Sequence, residues 1–253
     1  MVQLLDLVAY ANDLLEIERF DDYCPNGLQV EGRGDVNKIV SGVTASLALV
    51  EAAVAAGANV LLVHHGYFWR GEDPRLIGLK YRRLRGLFEA EISLVAYHLP
   101  LDAHPVLGNN AQLAERLGLN IEGRFGPGGP DRGIAMYGNL PSPMAADGLA
   151  EHLARALGRT PLHVPGGDRP VFTLGWCTGA AQGYIEDAAA LGVDAFITGE
   201  ISEQTVHVAR ESGVHFYAAG HHATERYGAQ ALASHLAERF GLEHEFIDID
   251  NPA

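Results

Sequence analysis

One pattern occurs twice in this chain. His98 and Asp102 in AYHLPLD, and His221 and Glu225 in AGHHATE, each pair a histidine with a carboxylate four residues on, at the end of an apolar run. Each carboxylate is followed, eleven positions later, by nearly the same heptapeptide: LAERLGL from Leu113 and LAERFGL from Leu236. Upstream, IVSGVTASLALVEAAVAAGANVLLVHHG resembles TLGWCTGAAQGYIEDAAALGVDAFITGE, with Gly57 matching Gly192 and His64-His65 falling where Gly199-Glu200 falls. Any α/β chain alternates strand and helix, and LAER is a common helical string. A shared offset between a histidine-carboxylate pair and one heptapeptide is not a generic result of that alternation. A repeat of this kind constrains the chain to two similar halves, with His64, His65, Asp102, His221 and Glu225 brought together at their seam.

Strand-like and helix-like segments alternate along the chain, the pattern of the α/β class. Residues 37 to 43 and 59 to 64 are short apolar or β-branched runs, and SLALVEAAVAAG between them has helical spacing with a Ser start and a Gly stop. A helix is expected from about Leu79 to Glu91, then the strand ISLVAYH and a helix from about Asn110 to Leu117. GRFGPGGPDRG, Gly123 to Gly133, lacks periodicity and is dense in Gly and Pro, which marks it as the linker candidate. Beyond it come a strand near Ile134 to Tyr137, further strand and helix alternation, a long helix from about Ala223 to Phe240, and EFIDI. The expectation is two similar three-layer α/β domains with mainly parallel sheets. The first spans 1–125, completed by 222–253, and the second spans 126–221.

Charge narrows the function. Lys plus Arg number 18 against 32 Asp plus Glu, a formal charge of −14, which opposes direct binding to nucleic acid or anionic membrane. The N-terminal stretch carries Asp6, Asp13 and Glu16 within its apolar spacing and reads as an amphipathic helix, not a signal peptide. No apolar run is long enough for a bilayer. Two widely separated cysteines, Cys24 and Cys177, suit a reducing cytoplasm as buried thiols.

In parallel α/β sheets ligands gather outside the carboxyl ends of the strands, where His64, His65, His98 and His221 are expected. A lone histidine there is ordinarily a hydrogen-bonded core or surface residue. Two imidazoles side by side at the end of a buried strand are harder to satisfy without a metal or an acid. Neighbouring strand side chains point to opposite faces, so His64 and His65 suggest one histidine for each of two ions. His221 and Glu225 sit one turn apart if a helix starts there, and the two oxygens of Glu225 could bridge. HHATE would also serve as an ordinary helix start capped by Thr224. KYRRLR, Lys80 to Arg85, reads as a solvated helix face with Tyr81 and Leu84 inward; a triphosphate-binding role is the sharper alternative.

CPNGLQVEG, VHHGYFW, HLPLDAHPVLGNN, ITGEISEQTVHVARE and GHHATERYG together resemble the dinuclear metal-binding family of GTP cyclohydrolase 1 type 2 homologues, in its short bacterial form without an inserted domain. The resemblance runs nearly end to end. It implies two divalent metal ions per chain (Zn, Fe, Mn, Co or Ni), one held by His65, Asp102 and Glu225 and the other by His64, His221 and Glu225. It also implies a toroidal homohexamer and hydrolytic opening of the guanine ring of GTP with release of formate. His98, opposite His221 in the repeat but outside the family's ligand set, is the candidate for proton transfer; orienting Asp102 is its other reading. Two other classes stay open: a different dinuclear metallohydrolase acting on phosphoester or nucleotide substrates, and a non-enzymatic metal-binding or scaffold ring.

Overall fold

The computed structural model describes residues 2–253. In chain order it forms β1 (Val2–Gln3), α1 (Leu4–Leu14), β2 (Gly27–Val30), β3 (Asp35–Val36), β4 (Lys38–Thr44), α2 (Leu47–Ala55), β5 (Val60–His65), α3 (Gly78–Glu89), β6 (Ser93–Ala96) and α4 (Leu99–Ala103). There follow α5 (Asn109–Leu117), β7 (Asn120–Phe125), α6 (Gly129–Arg132), β8 (Ala135–Met144), α7 (Ala146–Leu157), β9 (Leu162–Val164) and β10 (Val171–Trp176). The remainder is α8 (Ile185–Leu191), β11 (Ala195–Thr198), α9 (Glu203–Ser212), β12 (His215–Ala218), α10 (His221–Phe240) and β13 (Glu243–Phe246). Two compact units result, the first made of Met1–Gly108 and Gly228–Asp250, the second of Asn109–Tyr227 and Asn251–Ala253.

The first unit holds a sheet of order β13-β4-β5-β6-β2, parallel throughout except for the antiparallel edge strand β2. Its central strand explains its placement. VLLV in β5 is buried on both faces, the pattern of a parallel strand covered by helices on either side. Val60 and Leu62 pack with Leu4 and Leu7 of α1 and Leu232 and Leu236 of α10, while Leu61 and Val63 pack with Leu49 of α2 and Leu84 and Leu87 of α3. Burying each such side chain contributes about 1.5–3 kcal/mol. The same alternation, carried two residues further, sends His64 and His65 to opposite faces at the strand's carboxyl end. Ser46 starts α2 by accepting from the Leu49 amide at 3.2 Å, and Gly57 follows its end at φ +70°.

The second unit is also layered, but its sheet is mixed. The order is β7-β8-β10-β11-β12-β9, with β10, β11 and β12 parallel and β7, β8 and β9 added antiparallel. Leu149 and Leu153 of α7 and Leu113 and Leu117 of α5 cover one face with Trp176 and Ile197; Ile185 and Ala188 of α8 and Ala209 of α9 cover the other with Phe196 and Phe216. The expectation of mainly parallel sheets therefore describes the first unit and only the centre of the second. The stretch Gly123 to Gly133 is not a linker. It carries the end of β7, the short α6 and the turn into β8, because β7 and β8 pair antiparallel and need a short connection. Gly133 is required there, since a Cβ would stand 2.5 Å from the Phe125 carbonyl carbon.

Tyr81 departs from the sequence reading. It is 50% exposed, while Leu84 is buried as expected, so the inward stripe of α3 is Leu84 and Leu87. Among the described residues no helix is long and apolar enough to cross a membrane.

Candidate metal centre

In the first unit the donors stand on the ends of β5 and β6 and on α4. His64 is fully buried and its Nδ1–H donates to the Tyr97 carbonyl at 2.9 Å, which leaves the Nε2 lone pair as the ligand candidate. That Nε2 lies 3.5 Å from Asp102 Oδ1. His65 Nδ1 pairs with Thr44 Oγ1 at 3.1 Å, which fixes its ring too. The rings of His64 and His65 are 4.5 Å apart, and that of His98 is 5.1 and 5.7 Å from them. Potential ligand atoms of these three histidines lie within 4.8 Å of one another.

His98 is held by a residue that sequence reasoning missed. Asp22 Oδ1 accepts from His98 Nδ1 at 2.7 Å and from the Tyr23 amide at 2.6 Å; Oδ2 accepts from the Leu99 amide and from Asn26 Nδ2, both at 2.9 Å. Burial pushes the Asp22 carboxyl upward, yet the His98 hydrogen bond and charge, with Asn26 and Tyr23, outweigh it and hold it below its ordinary value. The bond fixes Nδ1 as the donor and turns Nε2 to the other side of the ring. Cys24 lies near this pair, with ligand atoms of Asp22, Cys24 and His98 within 4.8 Å of one another. Its thiol is pushed up to about 12 by burial and by the Asp22 charge, so it stays protonated.

In the second unit α10 begins at His221, immediately after Gly220 at φ +100°, so His221 and Glu225 do share its first turns. Glu225 is 3% exposed and its Oε2 lies 3.1 Å from His221 Nε2. His221 Nδ1 bonds Glu200 Oε1 at 2.7 Å. Burial alone would lower the His221 pKa, but the hydrogen bonds and charges of Glu225 and Glu200 push it up to about 9. Thr224 is not the cap. It lies within the first turn, donating to the Gly220 carbonyl at 2.9 Å and accepting from the Gly179 amide at 3.1 Å.

Two glycines leave the room that Glu225 occupies. Gly179 has φ +71°, and a Cβ there would collide with Glu225 Oε1 and stand 3.2 Å from His221 Nε2. At Gly199 a Cβ would stand 2.6 Å from His221 Cα. Both belong to Thr-Gly pairs, Thr178-Gly179 in the bend after β10 and Thr198-Gly199 at the end of β11, and Thr198 Oγ1 donates to the Gly179 carbonyl at 3.1 Å. The matching of His64-His65 with Gly199-Glu200 was the signal that could have found Glu200. Asp22 left no comparable trace in the sequence.

The fold and donors define a mixed α/β protein with clustered imidazole and carboxylate groups suited to a divalent metal. The chain belongs to the Duf34/NIF3 (NGG1p interacting factor 3) family, whose model matches residues 2–252. It is 59% identical over 252 residues to the GTP cyclohydrolase 1 type 2 homolog of Pseudomonas aeruginosa, covering 100% of this chain and 99% of that one. The protein of the same name from Escherichia coli is 52% identical, with 98% of each chain covered. Among solved structures, the protein ybgI, described as of unknown function, superposes with a TM-score of 0.95 at 50% identity, covering 100% of both chains. A Thermus thermophilus protein does so at 0.89 and 36% identity, also covering 100% of both.

Proposed function

We propose that this chain is a dinuclear divalent-metal hydrolase in which His65, Asp102 and Glu225 hold one ion and His64, His221 and Glu225 the other. The observation that carries the proposal is burial: Asp102 is 6% exposed, Glu225 3% and His64 0%. Carboxylates out of water beside imidazoles of fixed tautomer are costly unless compensated, and a cation compensates them. The donor set fits. Imidazole nitrogen with carboxylate oxygen suits Zn, Fe, Mn, Co or Ni, and each proposed imidazole ligand has an oxygen partner at Nδ1, a carbonyl for His64, a hydroxyl for His65 and a carboxylate for His221, as oriented ligands require.

When bound, two ions supply Lewis acidity and make water reactive at neutral pH. The chain's own residues do the remaining work. Tyr97 O and Thr44 Oγ1 aim His64 and His65, and Glu200 aims His221. His98, steadied by Asp22 at Nδ1, is placed to hold or move a proton at Nε2. The name borne by the relatives makes GTP, opened at its guanine ring with release of formate, the first substrate to test.

A second reading, a dinuclear hydrolase acting on other phosphoester or nucleotide substrates, draws support from the cations. Lys80, from the run with the triphosphate-binding alternative, pairs with Glu72 at 3.0 Å, and the further cation Arg226 donates from Nη2 to the Leu157 carbonyl at 2.5 Å, so both serve their own unit. The −14 charge points the same way. Metal-reconstituted protein should release formate from GTP or hydrolyse a member of a phosphoester and cyclic-nucleotide panel, and His64→Ala should abolish either. If fully loaded protein converts none of them while retaining its ions, the metal-binding ring replaces the hydrolase.

We also propose the toroidal homohexamer and a cytoplasmic setting, on the resemblance and the two separated cysteines. Light scattering should then give about six chains of 27.1 kDa, and a monomer overturns the assembly. The two units are proposed as repeats. In support, each carries a parallel strand-helix-strand-helix-strand run, β4 to β6 and β10 to β12, and each follows its third strand with a His-xxx-carboxylate.

A further inference from the structure

The two tryptophans of this chain are placed very differently. Trp176 is wholly buried in a core, and its Nε1 donates to the Asn110 carbonyl at 3.0 Å, which accounts for it as a packing residue. Trp69 belongs to none of the hydrophobic cores of the described residues and is half-buried. Its indole stands 5.0 Å from the His98 ring with the planes at 87°, and 6.0 Å from that of His65. Tyr23, 58% exposed, approaches His98 edge-on at 6.2 Å.

The loop that presents Trp69 is pinned and strained. The Arg70 amide donates to the Tyr23 carbonyl at 2.6 Å, and Arg70 Nη2 donates to Asp21 Oδ1 at 2.7 Å and to the Asp22 carbonyl at 2.9 Å. These bonds tie the loop to the same segment that steadies His98. The Trp69 amide donates to Glu72 Oε2 at 3.0 Å. Phe68, just before it, sits at φ +64°, in the left-handed region that a bulky side chain rarely adopts. Strain of this kind persists where the surroundings over-determine it, and it gathers at ligand clamps.

We propose that Trp69 is the platform on which a planar heteroaromatic ring stacks beside the histidine cluster of the first unit, so that the chain selects its substrate by the ring and not by phosphate. The proposal deepens the hydrolase reading and rests on it for the substrate. An aromatic face accepts any planar ring, whatever its hydrogen-bonding edge. A ring lying parallel to the indole would share its near-perpendicular attitude to the His98 imidazole, 5.0 Å from the indole. Two cations of this segment are engaged, Arg70 with Asp21 and Lys80 with Glu72, which favours recognition by the π-face over recognition of phosphate.

The test uses the full chain stripped of metal with a chelator, so that it does not depend on catalysis. Guanosine is titrated in equilibrium dialysis and by tryptophan emission, with ribose 5-phosphate as the probe lacking a ring. Saturable binding of guanosine with quenching of emission is expected, and Trp69→Ala should weaken it about fivefold or more. Trp69→Phe, which keeps a smaller aromatic face, should weaken it less and serves as the deciding variant if the alanine protein does not fold. Unchanged affinity in a folded variant, absent guanosine binding, or equal binding of ribose 5-phosphate overturns the proposal. Ring binding through Trp69 without turnover by loaded protein supports it while the hydrolase reading fails. Turnover whose KM is indifferent to Trp69→Ala leaves the hydrolase and removes the platform.

Discussion

The first and second units place a histidine after the third strand of a parallel run, and each bonds that histidine's Nδ1 to a carboxylate at 2.7 Å. The carboxylates come from different places. In the second unit Glu200 sits just past β11, inside the run itself; in the first unit Asp22 comes from the segment before β2, outside the run. The position that holds Glu200 in one is occupied by His64-His65 in the other. One unit thus spends its second strand end on ligand candidates and imports an orienting carboxylate, while the other keeps the carboxylate and makes room with Gly179 and Gly199 for a buried Glu225. If the proposed repeat and ligand set hold, the same strand-to-helix junction serves in one unit to hold a cation and in the other to aim the group that holds it.

The largest test of that comparison is metal content. Under the bridging proposal, Glu225→Gln should reduce bound metal from about two ions per chain toward one or none, whereas Asp102→Asn should mainly empty one site. Elemental analysis after dialysis reads both, and two retained ions in Glu225→Gln sink the bridge.

A smaller contrast separates the two orienting carboxylates. Glu200→Gln should weaken metal affinity by about 10–100-fold, as removal of a ligand's hydrogen-bond partner does. Asp22→Asn should leave affinity near wild type and lower turnover instead, because its histidine is proposed to move protons. Competition titration with a chromogenic chelator measures the first and steady-state kinetics the second. Equal loss of affinity in both variants would make His98 a ligand and erase the distinction.

The smallest effect is in pH, and the units should respond at opposite ends. His221, raised to about 9 from its ordinary 6.5, stabilises the metal-free protein fully below pH 6.5 and loses that contribution as pH rises through about 9. Asp22, held below 3.8, contributes above that value and loses its share as pH falls through its folded pKa. The His221 contribution is about 1 kcal/mol after allowance for solvent, or about 2–4 °C in Tm for a chain of this size. His221→Gln should flatten the alkaline limb alone and Asp22→Asn the acid limb alone. Either variant flattening both limbs breaks the assignment.

Much of the site was legible because its chemistry is local. His64-His65 ends an uninterrupted apolar strand, and the spacing from His221 to Glu225 is one helical turn, so residue type and periodicity alone pointed to donors at strand ends. The α/β class followed from the same periodicities. What escaped were contacts between residues distant in sequence. Asp22 reaches His98 across 76 positions, and the antiparallel strands β7, β8 and β9 join a parallel centre through pairings that no short-range pattern records. GRFGPGGPDRG reads as a break in any sequence, and only its pairing neighbours make it a turn inside one sheet.

The sequence by itself determined which residues could bind a cation, that they would lie at strand ends, and that acidic charge would discourage nucleic acid, since these depend on side-chain chemistry, on repeat lengths of two and 3.6 residues, and on net charge. Only the tertiary structure decided which nitrogen of each imidazole is aimed outward, which carboxylates do the aiming, and that one tryptophan is core while the other stands beside the histidines. Those are matters of a few ångströms between distant segments, and hydrogen-bond direction and ring stacking exist only once the segments have met.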